Sequence, residues 1–164
     1  MDKGYIYIYH GEGRGKTTIA IGQGIRAVSS GLKVIMIQFL DYNNTKEATV
    51  LKKLEPDFNV FRFEKIRDGI ESFDESIRKE IKNEIHTAFN FTKKIFDTGE
   101  CDLLILDGII EAINQGYISK DDFLETLSKK QGFMSVILTG TQVNQEIMDM
   151  ANFVYVIQTE KKTT

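Results

Sequence analysis

A single cysteine, Cys101, among 164 residues excludes a disulfide within the chain and leaves a thiolate zinc site without enough ligands. Its place just before Asp102 and an apolar run marks it as a small core residue. Basic residues hold no majority: 21 Lys and Arg stand against 24 Asp and Glu, a formal net charge of −3, so the footprint of a DNA- or RNA-binding protein is missing. Long hydrophobic stretches are missing too, none approaching the ~20 apolar residues that span a bilayer. The opening Met1-Asp2-Lys3-Gly4 runs straight into an apolar segment without a signal-peptide pattern. These absences lead us to expect a cytoplasmic protein whose partners include neither nucleic acid nor membrane.

What is present is ordinary for a globular protein, 41% hydrophobic and 27% charged, at a length that suits one domain over residues 1–164 with a polar tail at 159–164. The informative stretch is His10-Gly11-Glu12-Gly13-Arg14-Gly15-Lys16-Thr17-Thr18. It lies between the apolar run Tyr5-Ile6-Tyr7-Ile8-Tyr9 and a segment with helical periodicity. A strand that delivers a glycine-rich turn into a helix gathers unpaired backbone N–H groups, the positive helix end and a lysine around one point, and that point suits a polyphosphate. The common spacing is G-x-x-x-x-G-K-[ST]; here the first position is His10, so the loop runs from Gly11 and is one residue shorter. Gly11, Gly13 and Gly15 let the backbone approach phosphates, Lys16 neutralises them, and the Thr17 hydroxyl is placed to ligate Mg²⁺.

Downstream, strands and helices alternate. Lys33 to Leu40 is too continuously apolar for a one-sided strand and reads as one covered on both faces. A short helix through Val50, Leu51 and Leu54 runs to the only proline, Pro56, followed by a strand at Asn59–Phe63. Ser72, with Glu75 three residues on, is expected to cap a helix reaching Thr98 whose stripe holds Phe73, Ile77, Ile81, Ile85 and Phe89. Leu103-Leu104-Ile105-Leu106-Asp107 is a strand ending in a carboxylate; two short helices, a strand at Met134–Leu138, a helix at Asn144–Met150 and a strand at Phe153–Ile157 follow. The alternation predicts a single-domain α/β fold with a mostly parallel sheet of about six strands flanked by helices. Asp107 would then stand at the ligand-binding edge and hold a Mg²⁺-bound water near Thr17, as a Walker B carboxylate does.

In order and spacing, the shortened loop, Arg26 before Gly31, Val34-Ile35-Met36-Ile37-Gln38-Phe39-Leu40, Leu104-Ile105-Leu106-Asp107 and Val136-Ile137-Leu138-Thr139-Gly140 resemble the P-loop type of ATP:corrinoid adenosyltransferases. The resemblance covers about Tyr5 to Val156. It implies a RecA-like fold, commonly a homodimer, that transfers the 5′-deoxyadenosyl group of ATP to Co(I) of a corrinoid and releases triphosphate. It further implies that Gly11, Glu12, Gly13, Arg14, Gly15, Lys16, Thr17 and Thr18 cradle triphosphate, with Lys16, Thr17 and Asp107 serving the reaction. By the same resemblance Arg26 reaches the nucleotide. Phe73, with Phe61, Phe63, Phe89 and Phe91 as further candidates, supplies an apolar wall for the corrin ring.

The chain also departs from the family pattern. Asp107-Gly108 stands where Asp-Glu is usual, with Glu111 one turn later as a substitute metal ligand. Glu12 replaces an asparagine beside the phosphates, with Arg14 as its expected partner, and Thr139-Gly140-Thr141 replaces Thr-Gly-Arg. Ala151-Asn152 and Glu160-Lys161-Lys162 replace Ala-Asp and a Lys-His tail motif. Two rival functions therefore stand beside the transferase: an ATP-binding homologue that acts through a partner without transfer, and a P-loop ATPase or kinase. The latter would want a water-activating glutamate where Gly108 lies.

Overall fold

The computed structural model describes residues 3–40, 47–65, 67 and 74–163. Its six strands are β1 (Ile6–His10), β2 (Val34–Gln38), β3 (Phe58–Arg62), β4 (Leu103–Asp107), β5 (Ser135–Gly140) and β6 (Phe153–Val156). The helices are α1 (Lys16–Ser29), α2 (Glu47–Leu51), α3 (Glu75–Thr98), α4 (Ile109–Asn114), α5 (Lys120–Ser128) and α6 (Gln145–Met150), with a short 3₁₀ turn at Lys52–Leu54. All strands lie in one sheet of order β3-β2-β4-β5-β1-β6, and every pairing is parallel, which sharpens the expected mostly parallel sheet.

The handedness of βαβ crossovers explains how the two faces are covered. The chain steps from β1 to β2 to β3 in one direction and from β3 through β4 and β5 to β6 in the other, so right-handed crossovers place the first helices on one face and the later ones on the opposite face. The buried side chains sort accordingly. Ala20 and Ile21 of α1 and Leu51 of α2 pack on Val34, Met36, Leu103, Ile105 and Ile137. On the other face, Ile81, Ile85, Phe89 and Ile95 of α3, with Ile110, Phe123 and Ile147 of the later helices, pack on Ile8, Ile35, Ile37, Leu104, Leu106 and Leu138. Both faces of β2, β4 and β5 are therefore buried, which is why these segments read as unbroken apolar runs.

The same topology leaves one strip bare. Among the described residues no helix crosses from β1 to β6 on the α1 face, and Tyr7 and Tyr9 there stack on Phe153 and Tyr155 with centroid separations of 5.2 and 5.3 Å. All four residues of β6 are exposed.

Local signals are met with small shifts: β2 is Val34–Gln38, β3 starts and ends one residue early, and β6 stops at Val156. α3 is capped by Asp74, whose carboxylate accepts from the Ile77 N–H at 2.9 Å, whereas the expected cap Ser72 lies outside the described residues. β5 runs to Gly140, two residues past the expected end, because its rim pairs with β1 as far as His10. Ser119 and Asn144 cap α5 and α6, their side-chain oxygens accepting from the Asp122 and Ile147 N–H groups. Cys101 is buried, and burial with Asp102 alongside pushes its thiol up to about 12, so it is an unreactive core residue. Among the described residues no helix is long and apolar enough to cross a membrane.

Candidate functional site

The carboxyl ends of β4, β5 and β1 lie side by side, and the candidate residues meet there. The glycine-rich loop leaves β1 at His10 and enters α1 at Lys16, with Gly15 as the residue before the first turn. Lys16 Nζ folds back over the loop and donates to the carbonyls of Gly11 at 2.7 Å and Gly13 at 2.9 Å. These neutral acceptors satisfy the ammonium, while phosphate oxygens carry charge and make stronger bonds. Thr17, the next residue, donates through Oγ1 to Asp107, 2.9 Å from Oδ1 and 3.1 Å from Oδ2. Glu12, Arg14 and Thr18 are solvent-exposed.

Asp107 is 7% exposed and is positioned from β5. Thr139 Oγ1 donates to Asp107 Oδ1 at 2.8 Å and accepts from the Gly108 N–H at 2.8 Å. The chain from Thr17 through Asp107 to Thr139 thus links the loop, β4 and β5. Asp107 was expected at this edge; the bridging role of Thr139 was not, because a threonine within an apolar strand carries no signal of what stands opposite it.

Other expected residues lie elsewhere. Glu111 Oε1 is taken up by Thr141, whose N–H donates at 2.7 Å and whose hydroxyl also donates to it, so this pair braces the β5 rim. Arg26 sits ten residues along α1 from Lys16, about 15 Å of helical rise, and lines the groove floored by Tyr7 and Tyr9. Phe73 lies outside the described residues. Phe89 is core, whereas Phe61, Phe63 and Phe91 form a half-buried cluster with centroids 4.9 Å (Phe61 to Phe91) and 5.4 Å (Phe63 to Phe91) apart.

A charged cluster foreign to the sequence reading flanks this edge beyond β3. Glu64, 5% exposed, accepts the Leu40 N–H at 2.8 Å, and Leu40 itself is left-handed with φ 53°. Arg67 is also buried and forks onto Glu84 with contacts of 2.8 and 3.0 Å. Burial pushes the Glu64 carboxyl up to about 7, with Glu84 adding to the rise and Arg62 and Arg67 opposing it. The folded state therefore keeps a proton that the unfolded chain releases near its ordinary value of 4.5, and Glu64 withdraws stability as pH rises from 4.5 to about 7. Glu64→Gln keeps an acceptor for Leu40 and removes the titration. Its melting temperature should match the parent's near pH 4, pull ahead through pH 7 and then run parallel; a constant offset at all pH values would remove Glu64 as the cause.

The sequence profile of the ATP:corrinoid adenosyltransferases BtuR/CobO/CobP matches residues 2–164. The chain belongs to this family. Corrinoid adenosyltransferases of Escherichia coli K12 and Salmonella typhimurium are each 26% identical over 153 residues, covering 93% of this chain and 76% of the relative. That of Pseudomonas aeruginosa is 21% identical over 154 residues, covering 93% and 74%. Among solved structures, a KaiC-like protein of Pyrococcus horikoshii superposes with a TM-score of 0.56 at 14% identity, over 98% of this chain and 76% of its own. This adenosyltransferase-family chain thus has the RecA-like P-loop fold, with its loop, carboxylate and β5 threonine at the ligand edge of that fold.

Proposed function

We propose that this family member is an active ATP:corrinoid adenosyltransferase, a cytoplasmic homodimer that moves the 5′-deoxyadenosyl group of ATP onto the Co(I) of a corrinoid. The observation that carries the reading is the convergence of Lys16, Thr17 and Asp107 at the mouth of a loop one residue shorter than the common P-loop. The cobalt(I) electron pair forms a bond to the ribose 5′ carbon while the C–O bond to triphosphate breaks; cobalt ends as Co(III) and triphosphate departs with the electron pair. The protein's task is to hold that carbon near cobalt and to stabilise the departing charge.

On this reading Lys16 leaves the Gly11 and Gly13 carbonyls and pairs with the phosphates, while Thr18 and the loop amides beyond Gly13 line the chain of oxygens. Among the described residues no three His, Cys, Asp or Glu converge on a common metal position. A hydroxyl and a carboxylate already in contact are nevertheless the donor set that a P-loop magnesium uses, so Thr17 and Asp107 would hold Mg²⁺. When bound, the ion would neutralise the leaving triphosphate. Phe61, Phe63 and Phe91 offer apolar surface on the β3 side for the corrin.

Gly108 and Thr141, where the family usually has glutamate and arginine, favour a second reading: an ATP-binding homologue that acts through a partner. One assay separates the readings. Incubation with ATP, Mg²⁺ and chemically reduced cobalamin should give an adenosylcobalt absorption spectrum together with triphosphate in equal amount. Tight ATP binding without turnover would overturn the transferase in favour of the homologue, and release of monophosphate would favour an ATPase.

A further inference from the structure

The short loop is bracketed on both sides by backbone. On one side the Gly11 N–H donates to the Gly140 and Thr141 carbonyls at 3.2 and 3.1 Å. On the other, β6 continues past Val156 to lay Ile157 along the loop: Ile157 N–H donates to the His10 carbonyl at 2.7 Å and the Gly13 N–H donates to the Ile157 carbonyl at 2.9 Å. The approach is so close that a Cβ added to Gly11 would lie 2.3 Å from Ile157 O, and one added to Gly13 would lie 2.8 Å from Ile157 Cγ2. At two of the three loop glycines, Ile157 thus leaves no room for a side chain.

The consequence reaches Lys16. Its two acceptors are the carbonyls of Gly11 and Gly13, and Ile157 touches both residues. Binding the Gly13 N–H to Ile157 withdraws that amide from any phosphate and sets the plane of the peptide preceding Gly13, while the Cγ2 methyl closes the remaining space over the glycine.

We propose that Ile157 is a positioning residue for the triphosphate cradle. It acts through the loop backbone, doing from outside what the missing residue does within a full-length P-loop. This rests on the nucleotide reading above but does not depend on which reaction follows. It also gives β6, otherwise an exposed edge strand, a role at the site: the residue that follows its last pair sets the shape of the loop two strands' width from Thr139.

An isomeric substitution tests it. Ile157→Leu keeps the volume and hydrophobicity but moves the branch from Cβ to Cγ, removing the methyl that lies over Gly13; Ile157→Val keeps that methyl and is smaller. Calorimetric titration with MgATP and, separately, with inorganic triphosphate should show the leucine variant about tenfold weaker for both ligands, since small displacements in a positioned site have large effects, and the valine variant close to the parent. Melting temperatures should stay within a few degrees of the parent, as Ile157 is only half-buried. Affinities unchanged in the leucine variant would overturn the proposal, as would parallel losses of affinity and melting temperature in both variants. If Ile157→Leu does not fold, Ile157→Thr, which keeps Cγ2, compared with Ile157→Ser, which lacks it, makes the same comparison. A parent that binds neither ligand would instead remove the nucleotide reading itself.

Discussion

Lys16→Ala is expected to weaken MgATP binding at least ~100-fold, taking it out of reach of calorimetric titration at micromolar protein. The ammonium is tied to the loop by two bonds, and on the proposed reading it exchanges two carbonyls for phosphate oxygens. Removing a charged donor from such a site costs about 3 kcal/mol, which is the factor of ~100. The folded state should tolerate the loss, because the side chain is only half-buried. Lys16→Arg should not restore binding, because a planar guanidinium has no space where a compact ammonium reaches two carbonyls 2.7 and 2.9 Å away. An alanine variant that binds MgATP within a few-fold of the parent would show that the loop is not the nucleotide site.

The second large effect concerns stability. Restoring the family's usual acidic pair by Gly108→Glu should destabilise the protein by about 3 kcal/mol or more, lowering the melting temperature by roughly 6–12 °C for a chain of this size. Gly108 has φ 81°, a region that side chains with a Cβ enter at a cost, and an added Cβ would sit 2.3 Å from the Phe39 carbonyl oxygen. Its N–H is committed to Thr139. β2 and β4 are thus seated against each other at a point where only a glycine fits, and the glutamate cannot be returned without moving the β2 exit. Differential scanning calorimetry reads the effect directly. An unchanged melting temperature would show that the contact relaxes freely, and Gly108→Ala, which carries the strain without the charge, should show most of the loss.

What the sequence disclosed follows from what burial does to a strand. β2 and β4 lie between neighbours and under helices on both faces, so every position but the last is apolar and the run is visible without knowing the partner. The loop was legible because phosphate binding needs glycines, a lysine and a hydroxyl in consecutive order, and Asp107 because a carboxylate closing an apolar strand breaks the pattern. Thr139, Ile157 and Glu64 escaped for a shared reason. Each acts through a residue 24 to 146 positions away in the chain, at or just past the end of a strand whose neighbour is chosen by crossover direction and not by local composition. The register that sets Tyr7 opposite Phe153, and so brings Ile157 to the loop, is likewise a property of the assembled sheet. The cap of α3 shows the complementary case: Ser72 and Asp74 are both good caps two residues apart, and local chemistry does not choose between them.

The placement of β1 between β5 and β6 carries a consequence for biosynthesis. The two neighbours of Ile6–His10, Ser135–Gly140 and Phe153–Val156, emerge from the ribosome more than a hundred residues after it. Until then the apolar tyrosine-isoleucine ribbon has no native strand to pair with and must be kept from straying by chaperones or by speed, and nascent chains halted before Phe153 should carry no nucleotide-competent loop.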